Sequence, residues 1–229
     1  MVNTVWQASR QARQGDYDDR AWGESSRRII EALEAVGVEF QIEGVENFSS
    51  LSSPCVFIGN HMSTLETFVL PTLIVAHQPV TFVVKKSLVD YPIFRHVMVS
   101  RNPVVVERSN PRDDLKVVLE EGTKRLQSGV SIAVFPQTTR TVDFNPAQFN
   151  SIGIKLAKRA AVPVVPVALK TDAWGNGRWF KDFGRIDPTR RVHFAFGPPI
   201  AVEGNGSATQ AAVVEFIQGK LAQWQEEQF

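Results

Sequence analysis

A single cysteine, Cys55, stands in a chain of 229 residues. It can form no internal disulfide and no thiolate zinc cluster, which excludes the small cross-linked secreted scaffolds and fits a reducing compartment. Histidine is also scarce, with four residues scattered along the chain, and no metal site is expected from them. An excess of charge of one sign is missing too: 25 Lys and Arg stand against 24 Asp and Glu, a formal net charge of +1. With no overall field to draw in a polyanion, no nucleic-acid partner is expected. The longest apolar stretch, residues 68–84, is interrupted by Pro71, His77, Gln78 and Pro79. A membrane-spanning helix needs about 20 predominantly apolar residues, so this stretch does not span a bilayer. Residues 1–20 have no apolar core of the kind a secretory signal carries, and the expected location is the cytoplasm.

What the chain has is a 43% hydrophobic content arranged in short, regular pieces, enough for a sizeable core in one domain. Residues 18–37 place Trp22, Ile29, Ile30, Leu33 and Val36 at helical spacing and stop at Gly37. Residues 38–44 then alternate Val38, Phe40 and Ile42 with Glu39, Gln41 and Glu43, the pattern of a half-buried strand. Short apolar runs follow at CVFIG, VTFVV, PVVVE, VSIAVF, VPVVPVAL and VHFAFG, most of them separated by enough chain for a helix. That order predicts an α/β fold, a single domain with a mixed, largely parallel sheet flanked by helices. The clearest helix follows Asn110, which can cap it, with Pro111 in the first turn, Asp113 and Asp114 at its positive end, and Leu115, Val118, Leu119 and Leu126 on its apolar face. A last helix is expected over residues 208–225, with Val213, Val214, Ile217, Leu221 and Trp224 on one side.

The chain divides into an N-terminal helical segment, 1–37, and an α/β domain, 38–229, with no repeat or linker between them. Trp6, Arg10 and Arg13 fit a short amphipathic segment resting on a membrane surface, with Trp22 on a second one. Packing of these tryptophans on the body of the protein is the equal alternative.

In NHMSTLE, residues 60–66, Ser63 precedes Glu66 by three positions at the start of an apolar run. This is the pattern of a capping box, in which the glutamate reaches back to the serine amide. His61 lies just before that helix. The pair reads either as a loop histidine beside a capping glutamate or as a catalytic base beside its acid. Three further segments tip the balance. In order, NHMSTLE, VVVERSNPR, FPQTTRT and VPVVPVAL resemble the four blocks of the glycerolipid acyltransferase family, whose familiar members are the 1-acylglycerol-3-phosphate and other lysophospholipid acyltransferases. Asn60, His61 and Glu66 match the first block, and residues 104–108, ending in Glu107 and Arg108, match the second. Phe135, Pro136, Thr139 and Arg140 match the third, and an apolar strand with Pro163 and Pro166 matches the fourth. The first and third blocks are variants: Glu66 stands where the family has aspartate, and Gln137 and Thr138 where it has glutamate and glycine.

Moving an acyl group from a thioester to an alcohol needs a base for the hydroxyl, a partner that orients and balances the base, and donors for the tetrahedral oxyanion. His61 suits the first role and Glu66 the second. The substrate hydroxyl takes the place of a protease serine, so no covalent acyl-enzyme is required. Ser63 competes for the same carboxylate, and its two oxygens can divide the tasks. By resemblance, Arg108 and Arg140 bind the acceptor's phosphate, to which a guanidinium offers a planar fork of donors. Gln137, Thr138 and Thr139 are assigned to the same acceptor site, where the charge absent at Gln137 and the side chain added at Thr138 are expected to alter head-group preference. Lys85, at a strand end, is read either as facing an anionic membrane or the phosphopantetheine of the donor or as simply solvated. Trp174 and Trp179 form either an interfacial lip or turn packing. Cys55 is expected to be buried in a strand, and His77, His96 and His193 to be structural or surface residues.

The resemblance implies an enzyme of phospholipid biosynthesis. It would transfer a fatty acyl group from acyl-carrier protein or coenzyme A, as co-substrate and without a cofactor, to a lysophospholipid hydroxyl, by default that of 1-acylglycerol-3-phosphate, while peripherally associated with a membrane. An acyltransferase for a different lipid acceptor, a non-catalytic lipid-binding protein of the same fold and a thioesterase-like hydrolase are the alternatives.

Overall fold

The helical spacing and apolar runs become, in a computed structural model that describes residues 2–92, 94–137, 139–175, 177 and 184–227, a sheet covered by helices on both faces. The strands are β1 (Phe40–Glu43), β2 (Val56–Gly59), β3 (Val80–Lys85), β4 (Val104–Val106), β5 (Ser131–Val134), β6 (Val164–Lys170) and β7 (Val192–Phe196). Their order across the sheet is β1-β7-β6-β2-β5-β3-β4. Strands β2 to β6 run parallel, whereas β7 is antiparallel to β6 and carries β1 parallel to itself. The helices in chain order are α1 (Val2–Gln14), α2 (Asp19–Glu34), α3 (Glu46–Ser49), α4 (Leu65–Ile74), α5 (Lys86–Asp90), α6 (Arg95–Ser100), α7 (Pro111–Gln127), α8 (Ile152–Ala160) and α9 (Ser207–Glu226). This is the α/β arrangement that the alternation of apolar runs predicts.

Successive strand side chains point to opposite faces, and the core divides accordingly. Phe57, Phe82, Val165 and Val167 meet Trp22, Leu33, Phe48 and Val69 on the face of α2, α3 and α4. Val56, Ile58, Ile132 and Val164 meet Val118, Ile154, Val213 and Ile217 on the face of α7, α8 and α9. The second face is closed by a glycine: a Cβ at Gly153 would fall 2.6 Å from Cδ1 of Ile58, so only glycine lets α8 sit directly on β2. The expected caps are in place on α7, where the Asn110 side chain accepts the Arg112 N–H at 3.0 Å.

One expectation is corrected, and for Trp22 the packing alternative is the one that holds. Ile42 does not turn fully inward: β1 is an end strand, and Ile42 remains 38% exposed. Trp22 does not lie on a second membrane-facing segment. It is 4% exposed, edge-on to Phe82 at 5.8 Å. Arg101 stands over both Tyr17 and Trp22 and pairs with Asp19 at 2.6 Å, which ties the start of α2 to the domain. On α1 the pattern differs. Trp6, Arg10 and Arg13 share one exposed face, while Ala8 and Ser9 turn inward. Among the described residues no helix is long and apolar enough to cross a membrane.

Candidate active site

In a parallel sheet the loops beyond the carboxyl ends of the strands are where ligands meet the fold. The chain leaves β2 at Gly59, with β5 on one side and β6 on the other, and enters the loop that carries His61. Both neighbours hold that loop. Toward β6, Asn60 Oδ1 accepts the Leu169 N–H at 2.8 Å and its Nδ2 donates to the Leu169 carbonyl at 2.7 Å. Toward β5, the His61 N–H donates to Gln137 Oε1 at 2.6 Å, and the Thr141 N–H donates to the His61 carbonyl at 3.0 Å. The main chain around the imidazole is therefore fixed before any side-chain chemistry begins.

His61 Nδ1 lies 2.8 Å from Oε1 of Glu66, and the ring stacks on Phe135 with centroids 4.6 Å apart and planes 10° from parallel. Glu66 is fully buried. Burial pushes its carboxyl pKa up, but the hydrogen bond and charge of His61 and the Thr171 hydroxyl outweigh burial and hold it below the ordinary value. An ionised Glu66 makes Nδ1 the protonated ring nitrogen, which leaves Nε2 as the acceptor. With 17% of its side chain exposed, the His61 ring can be reached from solvent.

The helix-start reading of Glu66 holds beside its contact with His61. Besides His61, Oε1 accepts the main-chain N–H of Met62 at 2.7 Å and of Ser63 at 3.0 Å. Oε2 accepts the Thr171 hydroxyl at 2.6 Å and lies 3.1 Å from Ser63 Oγ. Helix α4 itself begins at Leu65, and Ser63 Oγ accepts the Leu65 N–H at 3.1 Å. A glutamate with one more methylene than aspartate can thus cap the helix, hold the imidazole and touch the residue beyond the far strand.

The cations form a looser rim. Arg140, half-buried, donates from Nη1 to the Thr64 hydroxyl at the start of α4, which brings the third block beside the first. Thr139 is exposed on the same loop, and Thr138 lies outside the described residues. Gln137 is 4% exposed, with its Nε2 donating to Thr141 Oγ1 at 2.9 Å. Arg108, exposed, follows β4 in a left-handed conformation with φ of 58°. Its loop is held by Asp114, whose Oδ1 accepts the Glu107 and Arg108 amides at 3.0 and 3.2 Å. In the same loop Glu107 pairs with Lys86 at 2.7 Å, and Asp113 accepts from Asn110 at 2.7 Å. Lys85 is exposed at the end of β3. Strand β4, which leads to Arg108, is three places along from β2, roughly 14 Å at ordinary strand spacing, and β3, which ends at Lys85, is two places along, roughly 10 Å, so both cations border His61 from a distance.

Thr171, Phe135 as a stacking platform and Thr64 are contributors that sequence reasoning missed. Thr171 lies just past β6 and nothing in its neighbourhood marks it. Trp174 is 4% exposed and stacks on Phe68 at 5.7 Å, which makes it turn packing and not a lip; Trp179 lies outside the described residues. Cys55 is fully buried, and burial pushes its thiol up to about 12. Among the described residues no group of three or more His, Cys, Asp or Glu side chains is arranged to hold a metal ion.

Known proteins resemble this chain in sequence and in fold. The 1-acyl-sn-glycerol-3-phosphate acyltransferase of Pseudomonas aeruginosa is 30% identical over 171 residues, 74% of this chain and 62% of that protein. The chloroplastic 1-acyl-sn-glycerol-3-phosphate acyltransferase BAT2 of Brassica napus is 30% identical over 128 residues, 56% of this chain and 36% of that protein. The chain thus spans less than two thirds of the length of either relative. The solved structure of the 1-acyl-sn-glycerophosphate acyltransferase PlsC from Thermotoga maritima has the same fold, with a TM-score of 0.71 over 92% of this chain and 81% of that one at 20% identity. The sequence model of the family described as Acyltransferase matches residues 39–170, more than half of the chain and the stretch that runs from β1 through His61 and Arg140 to the end of β6. The chain belongs to the acyltransferase family.

Proposed function

We propose that this protein transfers a fatty acyl group from a thioester, carried by acyl-carrier protein or coenzyme A, to the hydroxyl of a lysophospholipid. The relatives' names make 1-acylglycerol-3-phosphate the first acceptor to test. The observation that carries the reading is the contact of 2.8 Å between His61 Nδ1 and a fully buried, ionised Glu66. Nε2 of His61 takes the proton of the acceptor hydroxyl as its oxygen attacks the thioester carbonyl. Glu66 holds the ring and balances the imidazolium that forms. Collapse of the tetrahedral intermediate breaks the C–S bond, and the imidazolium returns its proton to the leaving thiolate. Arg140 and Arg108 bind the acceptor's phosphate, with Thr139 and Lys85 on the same rim. The face of α1 that carries Trp6, 59% exposed, with Arg10 and Arg13 supports peripheral attachment to an anionic membrane surface.

The test offers purified protein acyl-carrier-protein and coenzyme A thioesters together with mixed lysolipids in vesicles, with products read by mass spectrometry beside His61→Ala. A diacyl lipid whose formation depends on His61 is expected. Fatty acid released without acylated lipid would make the protein a hydrolase. Vesicle binding with no turnover of any pairing would make it a lipid-binding protein.

A further inference from the structure

Position 137 is where the third block departs from the family's pattern in charge, and the buried surroundings of Gln137 indicate what the departure does. The side chain reaches His61 and Thr141 at once. Its Oε1 accepts the His61 main-chain N–H at 2.6 Å, and its Nε2 donates to Thr141 Oγ1 at 2.9 Å. Thr141 closes the circuit, its N–H donating to the His61 carbonyl at 3.0 Å and its hydroxyl to the Asp143 carbonyl at 2.8 Å. The last bond decides the chemistry. A hydroxyl has one proton, and here it lies on Asp143, so the threonine oxygen turns lone pairs toward position 137 and is satisfied there only by a donor. An amide supplies an acceptor to His61 and a donor to Thr141 together. A carboxylate supplies acceptors to both, and either faces the threonine lone pairs or draws the proton away from Asp143.

We infer that Gln137 is a positioning residue for the base: it sets the placement of the His61 imidazole by holding the main chain beneath it, with Thr141 as its matched partner. The inference rests on the reading of His61 as the general base. It gives position 137 a task other than contact with the acceptor's head group, which the sequence pattern alone suggests. The lever is short, because the clamped amide and carbonyl flank the Cα from which the imidazole projects. A base has to lie about 2.6–3.2 Å from the hydroxyl it serves, and a displacement of about 1 Å lowers turnover by as much as 10²-fold.

The experiment combines steady-state kinetics on a panel of lysolipids with amide hydrogen exchange at His61 followed by NMR, in Gln137→Glu, Gln137→Ala, Thr141→Val and Thr141→Ser. Gln137→Glu is expected to lower kcat roughly ten- to hundredfold while the KM for each acceptor and the ranking of acceptors hold. Thr141→Ser is expected to recover most of what Thr141→Val loses. Gln137→Glu combined with Thr141→Val is expected to be no worse than the poorer single variant, because the opposed oxygens are no longer present together. In Gln137→Ala the His61 amide is expected to exchange faster than in the wild type. A changed acceptor ranking at undiminished kcat, or unaltered protection of the His61 amide in Gln137→Ala, would overturn the inference. If the wild-type protein turns over no acceptor, the proposed reaction itself fails, and amide exchange alone then decides whether Gln137 holds His61.

Discussion

Glu66 and the arginines of the rim are charges at the same edge of one sheet, yet the fold treats them in opposite ways. Glu66 has no exposed surface, and both of its oxygens meet donors delivered by the loop between β2 and α4 and by the residue that follows β6. Arg108 and Arg140 sit on loops, one exposed and the other half-buried. A carboxylate kept from water is tolerated only where fixed dipoles replace its hydration, so its surroundings have to be rigid and complete. A guanidinium that has to meet a substrate needs the reverse, a position that solvent and ligand can both reach. On the proposed reading, chemistry is thus enclosed at the join of β2, β6 and α4, and recognition is left to the open loops.

Breaking the enclosed half should have the larger effect. Glu66→Gln keeps the shape but removes the charge that fixes the His61 tautomer. It is expected to lower kcat by roughly 10²–10⁴-fold with little change in KM. Normal specific activity with a lowered melting temperature would reduce Glu66 to a helix cap. Thr171→Val removes one hydroxyl from the carboxylate. A hydrogen bond to a charged group contributes about 1.5–3 kcal/mol, so a stability loss in that range and an activity loss of about tenfold are expected from denaturant melts and the acyl-transfer assay. On the rim, Arg140→Ala should raise the acceptor KM by about tenfold and change kcat less, as loss of a binding group does; an equal fall in kcat would move Arg140 into the enclosed half.

The smallest expected effect sharpens the contrast through pH. His193 is buried and stacked on Trp224 at 4.8 Å, and burial, with Lys170 adding, pushes its pKa down from 6.5 to about 4. Between those values the unfolded chain binds a proton that the folded chain refuses, so stability falls as pH drops from about 6.5 toward 4. Glu66, whose folded pKa is also depressed, contributes stability above its unfolded value that is lost as pH falls through the lower folded one. Denaturant melts across this window should show the slope, and His193→Gln should flatten its upper part. A wild-type stability that is level down to pH 4.5 would contradict the assignment.

The sequence carried the local half of this site and not the distant half. The strands and helices were legible because period-two and helical spacings are local signals, as was the capping pattern from Ser63 to Glu66. Ile42 misled because alternation says which residues share one side of a strand, not whether a neighbouring layer covers that side, and helical spacing alone left Trp22 open between the protein body and a membrane. Thr171 was invisible from Glu66 because 105 residues separate them, and no local rule selects a threonine beyond a strand. Gln137 was legible as a departure, but its direction was not: only the pairing of β2 with β5 turns it toward the His61 main chain and away from solvent.

These separations also set when the protein becomes competent. The bonds that complete the site join residues 76, 105 and 109 positions apart, His61 to Gln137, Glu66 to Thr171 and Asn60 to Leu169. Closing such long loops is slow compared with forming a helix, and a growing chain that has not yet released β6 from the ribosome holds the histidine without the threonine that secures its acid. Under the proposed reaction, the unfinished polypeptide has no ordered base to offer a thioester, and activity recovered after denaturation should report the docking of β6 more directly than it reports helix content.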